Sequence, residues 1–312
     1  MRLNLLLFLL SACAFKLRSQ TDSSGVPFVA YWSTGDSYNF KVTKVKQKWK
    51  DDKLVKNDST QYIANFEVID STEKSYKIKW TFENNLVNTY EIPEKLMEKY
   101  PECKRTEIIY TTTETGEFVA IENWEEYGKM MKDVFDALIE TNSGAEKEKL
   151  TAVMAPMIES FSSRQSIEGV VFKELQYFHF PLGIEISTTD TLEYQEEYPH
   201  IFGGDPVKGR GILFVEEVDF ESEYCVLINQ AQMDPEQAKV LLTSAFRKMG
   251  ITGENLDEEL KNADISIRDD NRYAYFYFPG VPVFIETMRE TKFQMGKEES
   301  VGIEKTIIEL ID

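Results

Sequence analysis

The chain of 312 residues contains only two histidines and three cysteines, so few side chains can serve as a base or nucleophile near neutral pH. His179 sits in Phe178-His179-Phe180 and His200 in Pro199-His200-Ile201. Neither lies in an H-E-x-x-H spacing, which puts two imidazoles on one helix face for zinc, and no G-x-S-x-G elbow offers a serine. Both are read as packed or surface histidines. Gly203 to Gly211 comes nearest to a phosphate loop, since Gly204 and Gly209 have its spacing. Arg210-Gly211 stands where Lys and Ser/Thr are required, however, and a strand follows where a helix N-terminus should hold the phosphate. The stretch is therefore expected to be a flexible approach to a hairpin. Glu193, Glu196 and Glu197 read as a solvated acidic face. Asp269-Asp270-Asn271 lacks the remaining ligands of a calcium loop and reads as a hairpin turn. The sequence thus assigns no catalytic residue, no metal site and no cofactor.

The cysteines carry a different chemistry. Arg2 precedes the short apolar run Leu3–Leu10, and Leu10-Ser11-Ala12-Cys13 follows directly, the pattern of a bacterial export signal that ends in a lipobox. Eight residues are too few for a bilayer core that needs about twenty, so the membrane link is expected through a lipid on Cys13 and not through a spanning helix. A cut after Ala14 or before Gln20 would instead release a soluble secreted protein. The expected location is the periplasm or the outer membrane, as a lipoprotein. In such an oxidising compartment Cys103 and Cys225 form a candidate disulfide. The formal net charge is −19, and Arg2, Lys16 and Arg18 fall within the first twenty positions, so the remainder is more acidic still. That charge disfavours nucleic acid as a partner.

Residues 28–83 alternate with period two. Tyr38, Phe40 and Val42 share one face, then Tyr62, Ala64, Phe66 and Val68, then Tyr76, Ile78, Trp80 and Phe82, as in half-buried antiparallel strands. Asp51-Asp52-Lys53 and Asp70-Ser71-Thr72 supply turns. From Asn123 the period changes to three and four through Met130, Met131, Val134 and Phe135, and helices are expected over 123–178. Strands return near Arg210, and Asp234-Pro235-Glu236-Gln237 is a strong helix start. The order of elements predicts an α+β fold: a curved antiparallel sheet, half-barrel-like, covered by inserted helices. The division is an export signal over 1–20, a flexible tether over 21–27 and one domain over 28–312.

Tyr76, Ile78, Trp80 and Phe82 on a strand, with Met130, Met131, Val134 and Phe135 on a helix, form a candidate apolar pocket, because thioethers and rings can line adaptable space. Gly35-Asp36-Ser37-Tyr38, Gly116-Glu117-Phe118-Val119 leading to Asn123-Trp124-Glu125, and Pro279-Gly280-Val281-Pro282 resemble exported Bacteroidota proteins of a domain-of-unknown-function kind. The fold style is loosely similar to lipoprotein-carrier half-barrels. The resemblance implies a compartment and a fold, and no functional residues. The expected function is non-enzymatic binding of a lipid or other apolar ligand, or of an envelope protein partner. The alternatives are a metal-free hydrolase and a structural accessory of an envelope complex.

Overall fold

A computed structural model describes residues 25–83, 98–100, 105–198, 206–248 and 263–311. The alternating segments form one antiparallel sheet of eleven strands in the order β6-β5-β4-β3-β2-β13-β12-β11-β10-β9-β8. The first meander comprises β2 (Ser37–Lys50), β3 (Lys53–Thr72), β4 (Ser75–Glu83), β5 (Arg105–Thr113) and β6 (Phe118–Ile121). The second comprises β8 (Leu192–Tyr198), β9 (Val207–Asp219), β10 (Tyr224–Met233), β11 (Asp264–Phe276), β12 (Val281–Met295) and β13 (Glu298–Ile311). The two meanders are one sheet because the last strand returns to the first long one, from Ser300↔Lys50 to Ile311↔Asn39. A separate pair joins β1 (Gly25–Pro27), in the stretch expected to be a tether, to β7 (Glu185–Ser187).

Helices occupy the interval between the meanders: α1 (Trp124–Glu140), α2 (Gly144–Ser160), the single turn α3 (Arg164–Ser166) and α4 (Lys173–His179). The helical stretch expected to reach residue 178 is interrupted near its end. Ile167–Val171 takes a π turn in which the Phe172 N–H donates to the Ile167 carbonyl, and the Phe172 ring enters the core. Gly128 lets α1 approach α2 closely, since a Cβ there would lie 2.6 Å from the Phe161 carbonyl oxygen. A fifth helix, α5 (Pro235–Lys248), starts as its sequence implies: the Asp234 carboxylate accepts from the Gln237 N–H at 3.0 Å.

Two apolar clusters result. The larger joins the first meander to α1–α4 through rings. Phe178 on α4 lies 5.0 Å from Phe40, 5.3 Å from Phe66 and 5.7 Å from Trp80. Tyr127 on α1 reaches the sheet through Phe172, which meets Phe82 on β4. The smaller cluster seats Ala238 and Leu241 of α5 on Ala231, Met233, Ile265 and Ile267 of β10 and β11.

Two local readings are corrected. Asp70-Ser71-Thr72 closes β3, paired with β4, and the turn falls on Glu73-Lys74. Asp269-Asp270-Asn271 is no turn: β11 runs unbroken from Asp264 to Phe276, paired with β10 on one side and β12 on the other. Ladder hydrogen bonds on both edges outweigh the local turn preference of Asp and Asn.

Candidate functional site

Along one face of the sheet the cross-strand rows change character abruptly. Leu227, Tyr273, Ile285, Ile308, Val42 and Tyr62 face one another in one row. Two residues further along every strand the row reads Asn229, Asn271, Thr287, Thr306, Lys44 and Thr60, and the next begins Ala231, Asp269, Arg289 and Glu304. Helix α4 lies across this boundary. Its Leu175 and Phe178 are buried with the apolar rows, while Lys173, Glu174 and Tyr177 reach the polar ones.

Glu174 is 2% exposed and is held by three donor contacts: the Lys44 ammonium at 2.9 and 3.0 Å, one to each carboxylate oxygen, and the Tyr62 hydroxyl at 2.6 Å. Further along, the Arg289 guanidinium donates to both oxygens of Asp269 at 2.7 Å and stacks on the Tyr198 ring at 5.2 Å. The fork geometry of guanidinium against carboxylate makes such a pair directional as well as charged. Asn271 donates to Asn229 at 3.0 Å, and Asn229 donates to the Tyr194 hydroxyl. Burial raises the Tyr177 phenol to about 12, although a hydrogen bond with Thr287 and the nearby Arg289 act the other way. Burial, helped by the Arg289 charge, lowers Lys173; burial, helped by Asp269, raises Glu196. Each shift disfavours the charged form, as desolvation requires. Lys173 has no hydrogen bond or ion pair among the described residues, and its ammonium lies over the Tyr177 ring at 5.2 Å.

Strand β8, which the sequence reading passed over, closes this seam. Its Tyr194 and Tyr198 lie flat on β9 because β9 presents glycines to them. A Cβ at Gly211 would come within 2.2 Å of the Tyr194 ring, and one at Gly209 within 2.7 Å of the Tyr198 ring. The glycines taken for a flexible approach are seats for two tyrosines. Gly209-x-Gly211 at strand period, with Tyr194 and Tyr198 four apart upstream, was the available signal.

The other face of β8–β11 carries no helix among the described residues. Here Glu193, Ile212, Gln230 and Asp270 form one row, and Gln195, Arg210, Gln232 and Arg268 the next. They line an open trough of about 740 Å³. It continues into a second hollow of about 370 Å³ along Lys208, Asp234 and Gln237 at the start of α5. Within it Gln230 donates to Asp270 at 2.9 Å, and Arg268 pairs with Glu290 at 3.5 Å. The lining is hydrogen-bonding and of mixed charge, suited to a hydrated polar partner.

The candidate apolar set lies in the larger cluster. Ile78, Trp80, Met131, Val134 and Phe135 are at most 1% exposed, Phe82 is 9% exposed, and Tyr76 and Met130 pack against them from its margin. Cys225 is a buried free thiol, which burial and then Glu217 push up to about 12. Cys103, Cys13 and His200 lie outside the described residues. His179 is buried, donates from Nδ1 to the Gly116 carbonyl at 2.7 Å, and so accepts at Nε2 from the Tyr110 hydroxyl at 2.9 Å. Gly116 can aim that carbonyl because its φ is +95°. Burial lowers the imidazole to about 3, so it is a neutral packing group. Among the described residues no group of His, Cys, Asp and Glu is placed to hold a metal, and no helix is long and apolar enough to cross a membrane.

No family model matches the chain, and no curated protein matches it. Among solved structures, the crystal structure of Ail, the attachment invasion locus protein of Yersinia pestis, aligns over 89% of this chain and 100% of its own, at 6% identity and a TM-score of 0.15. At that TM-score the likeness carries no argument.

Proposed function

We propose that this is an exported envelope protein, tethered through a lipid on Cys13, that binds a protein partner on the exposed side of a half-barrel-like sheet and performs no chemistry on it. The observation that carries the reading is the division of space between the two faces. Between sheet and helices the room is filled by rings in mutual contact, leaving the candidate pocket residues as packing. The helix-free face of β8–β11 instead offers an open trough of about 740 Å³ whose Gln, Arg, Glu and Asp side chains face water. A partner with matching donors and acceptors would exchange that hydration for direct and water-bridged hydrogen bonds.

The test joins Arg210→Glu to Arg268→Glu, both on exposed side chains. Cross-linking in intact cells should give a discrete adduct with the unaltered protein and lose it with the double variant, whose melting temperature stays unchanged. Saturable binding of a fluorescent fatty acid, weakened by Trp80→Ala, would return the reading to an apolar-ligand carrier.

A further inference from the structure

β3 is much longer than the strand beside it. It spans 20 residues and β4 only 9, and the β3–β4 ladder begins at Ala64↔Phe82. From Lys53 to Ile63, β3 pairs with β2 on one side and with no described strand on the other. Lys53–Gln61 are exposed throughout. Among the described residues this is a long sheet edge without a neighbour, carrying Leu54, Val55, Thr60 and Ile63 and no proline, whereas exposed edges are ordinarily kept short or broken because they template pairing with another chain.

The face beside this edge is basic in an otherwise acidic protein. Lys44, Lys46, Lys48 and Lys50 alternate onto one face of β2, and Lys53 and Lys56 continue it on β3; the acids among them are Asp58 on β3 and Asp51 and Asp52 in the turn. Lys48 stands directly opposite Lys56, and Lys50 opposite Lys53, two like-charge pairs that weaken the ladder. Lys44 is neutralised by Glu174, Lys46 by Glu304, Lys50 by Glu298 and Lys56 by Asp58. Lys48 and Lys53 have no ion pair among the described residues. Lysines alone would suffice to keep an edge unpaired. Here they repel one another beside a length of backbone that stays competent to pair, so an acid from outside would relieve the strain.

We infer that the β3 edge from Lys53 to Ile63 accepts an extended acidic segment of a partner protein as an added antiparallel strand, with Glu or Asp at alternate positions facing Lys53 and Lys56. Main-chain hydrogen bonds supply the pairing and the period-two charges set face and register. A second copy of this chain is the poorer occupant, since the only acid its own edge offers between Lys53 and Ile63 is Asp58. The inference stands apart from the trough and survives if the trough binds nothing.

The probe is an end-blocked synthetic peptide of alternating Glu and Thr, with a Lys–Thr peptide as control, added to the full chain. The Glu–Thr peptide should bind saturably, lose affinity in high salt, and protect alternate backbone amides between Lys53 and Ile63 from hydrogen exchange. Lys53→Glu with Lys56→Glu should weaken it by roughly tenfold or more, each cross-strand charge pair turning from attraction to repulsion. Both side chains are exposed, and the variant turns the two like-charge pairs with Lys48 and Lys50 into opposite-charge pairs, so it should melt no lower than the unaltered protein. Leu54→Lys, on the opposite face, should leave the dependence on Glu intact. Three results would overturn the inference: binding without protection of the β3 amides, equal binding by the double variant, or preference for heparin or anionic vesicles over the peptide, which would make the stripe a polyanion site.

Discussion

The two ends of the sheet solve the same burial problem by different means. Under α1–α4 the first meander buries rings against rings; the ionisable groups Glu174 and His179 enclosed there are each held by hydrogen bonds on two sides, while the Trp32 and Trp80 indole N–H groups have no hydrogen-bond partner among the described residues. Under α5 the second meander has a small aliphatic cluster, and the space between it and the ring core is filled by the Arg289–Asp269 pair, Lys173, Glu196 and three tyrosines. The first arrangement is rigid and closed. The second leaves charges partly desolvated and an amine without a bonded partner among the described residues, and beneath it lies the open trough. The proposed binding belongs with the second pattern, because side chains already engaged in internal contacts have little to offer a partner.

Acid should separate the two ends most. His179 is about 3 in the folded protein and near its ordinary ~6.5 when unfolded, so the unfolded chain binds more protons between those values. Stability from this residue is therefore complete above pH ~6.5 and falls by about 1.4 kcal/mol per unit below it, reaching about 5 kcal/mol lost near pH 3. Chemical denaturation across pH 4–7 should show this slope, and His179→Gln should flatten it. An unchanged slope in the variant would remove His179 as the acid-sensitive point of the closed end.

Truncation comes next. Trp80→Ala should cost about 4 kcal/mol, since it empties a site enclosed by Phe40 and Phe178. Arg289→Met should cost less, about 2 kcal/mol, because both partners keep some contact with water and the pair forms the margin of a core, not its centre. Urea midpoints at constant slope measure both. Equal losses would break the distinction between a ring-packed end and a charge-filled one.

Two smaller effects sharpen it. Gly211→Ala forces the Tyr194 ring off β9 and should cost about 1–2 kcal/mol, and Tyr194→Ala in the same chain should relieve the strain. A double-mutant cycle reads the coupling. Glu196 is raised in the folded state, chiefly by burial, so its carboxyl lowers stability as pH rises through that raised value. Glu196→Gln should accordingly gain slightly at neutral pH and nothing in acid, the opposite trend to His179.

Much of the strand architecture was legible because period-two alternation is a local property: Phe40 and Val42, Phe66 and Val68, and Ile78 and Trp80 face inward as their spacing implies. The cap at Asp234 and the turn at Asp51-Asp52, whose two residues have positive φ, were legible because they too are local. The polar seam was not. Asp269 and Arg289 lie twenty positions apart on neighbouring strands, and their meeting depends on the register of β11 against β12, where a one-residue slip would send them to opposite faces. Asp269-Asp270-Asn271 read as a turn because those side chains favour turns locally, and only two flanking strands make them part of one. The order of apolar and polar residues along the chain thus determined which segments are strands and helices and which face of each turns inward. Tertiary structure decided that β13 returns to β2 to make one sheet, that β9 offers glycines beneath the tyrosines of β8, and that a run of β3 has no neighbour on one side among the described residues. Each of these depends on pairing between segments distant in sequence, whose free energy is set by register and neighbours and is written in no local pattern.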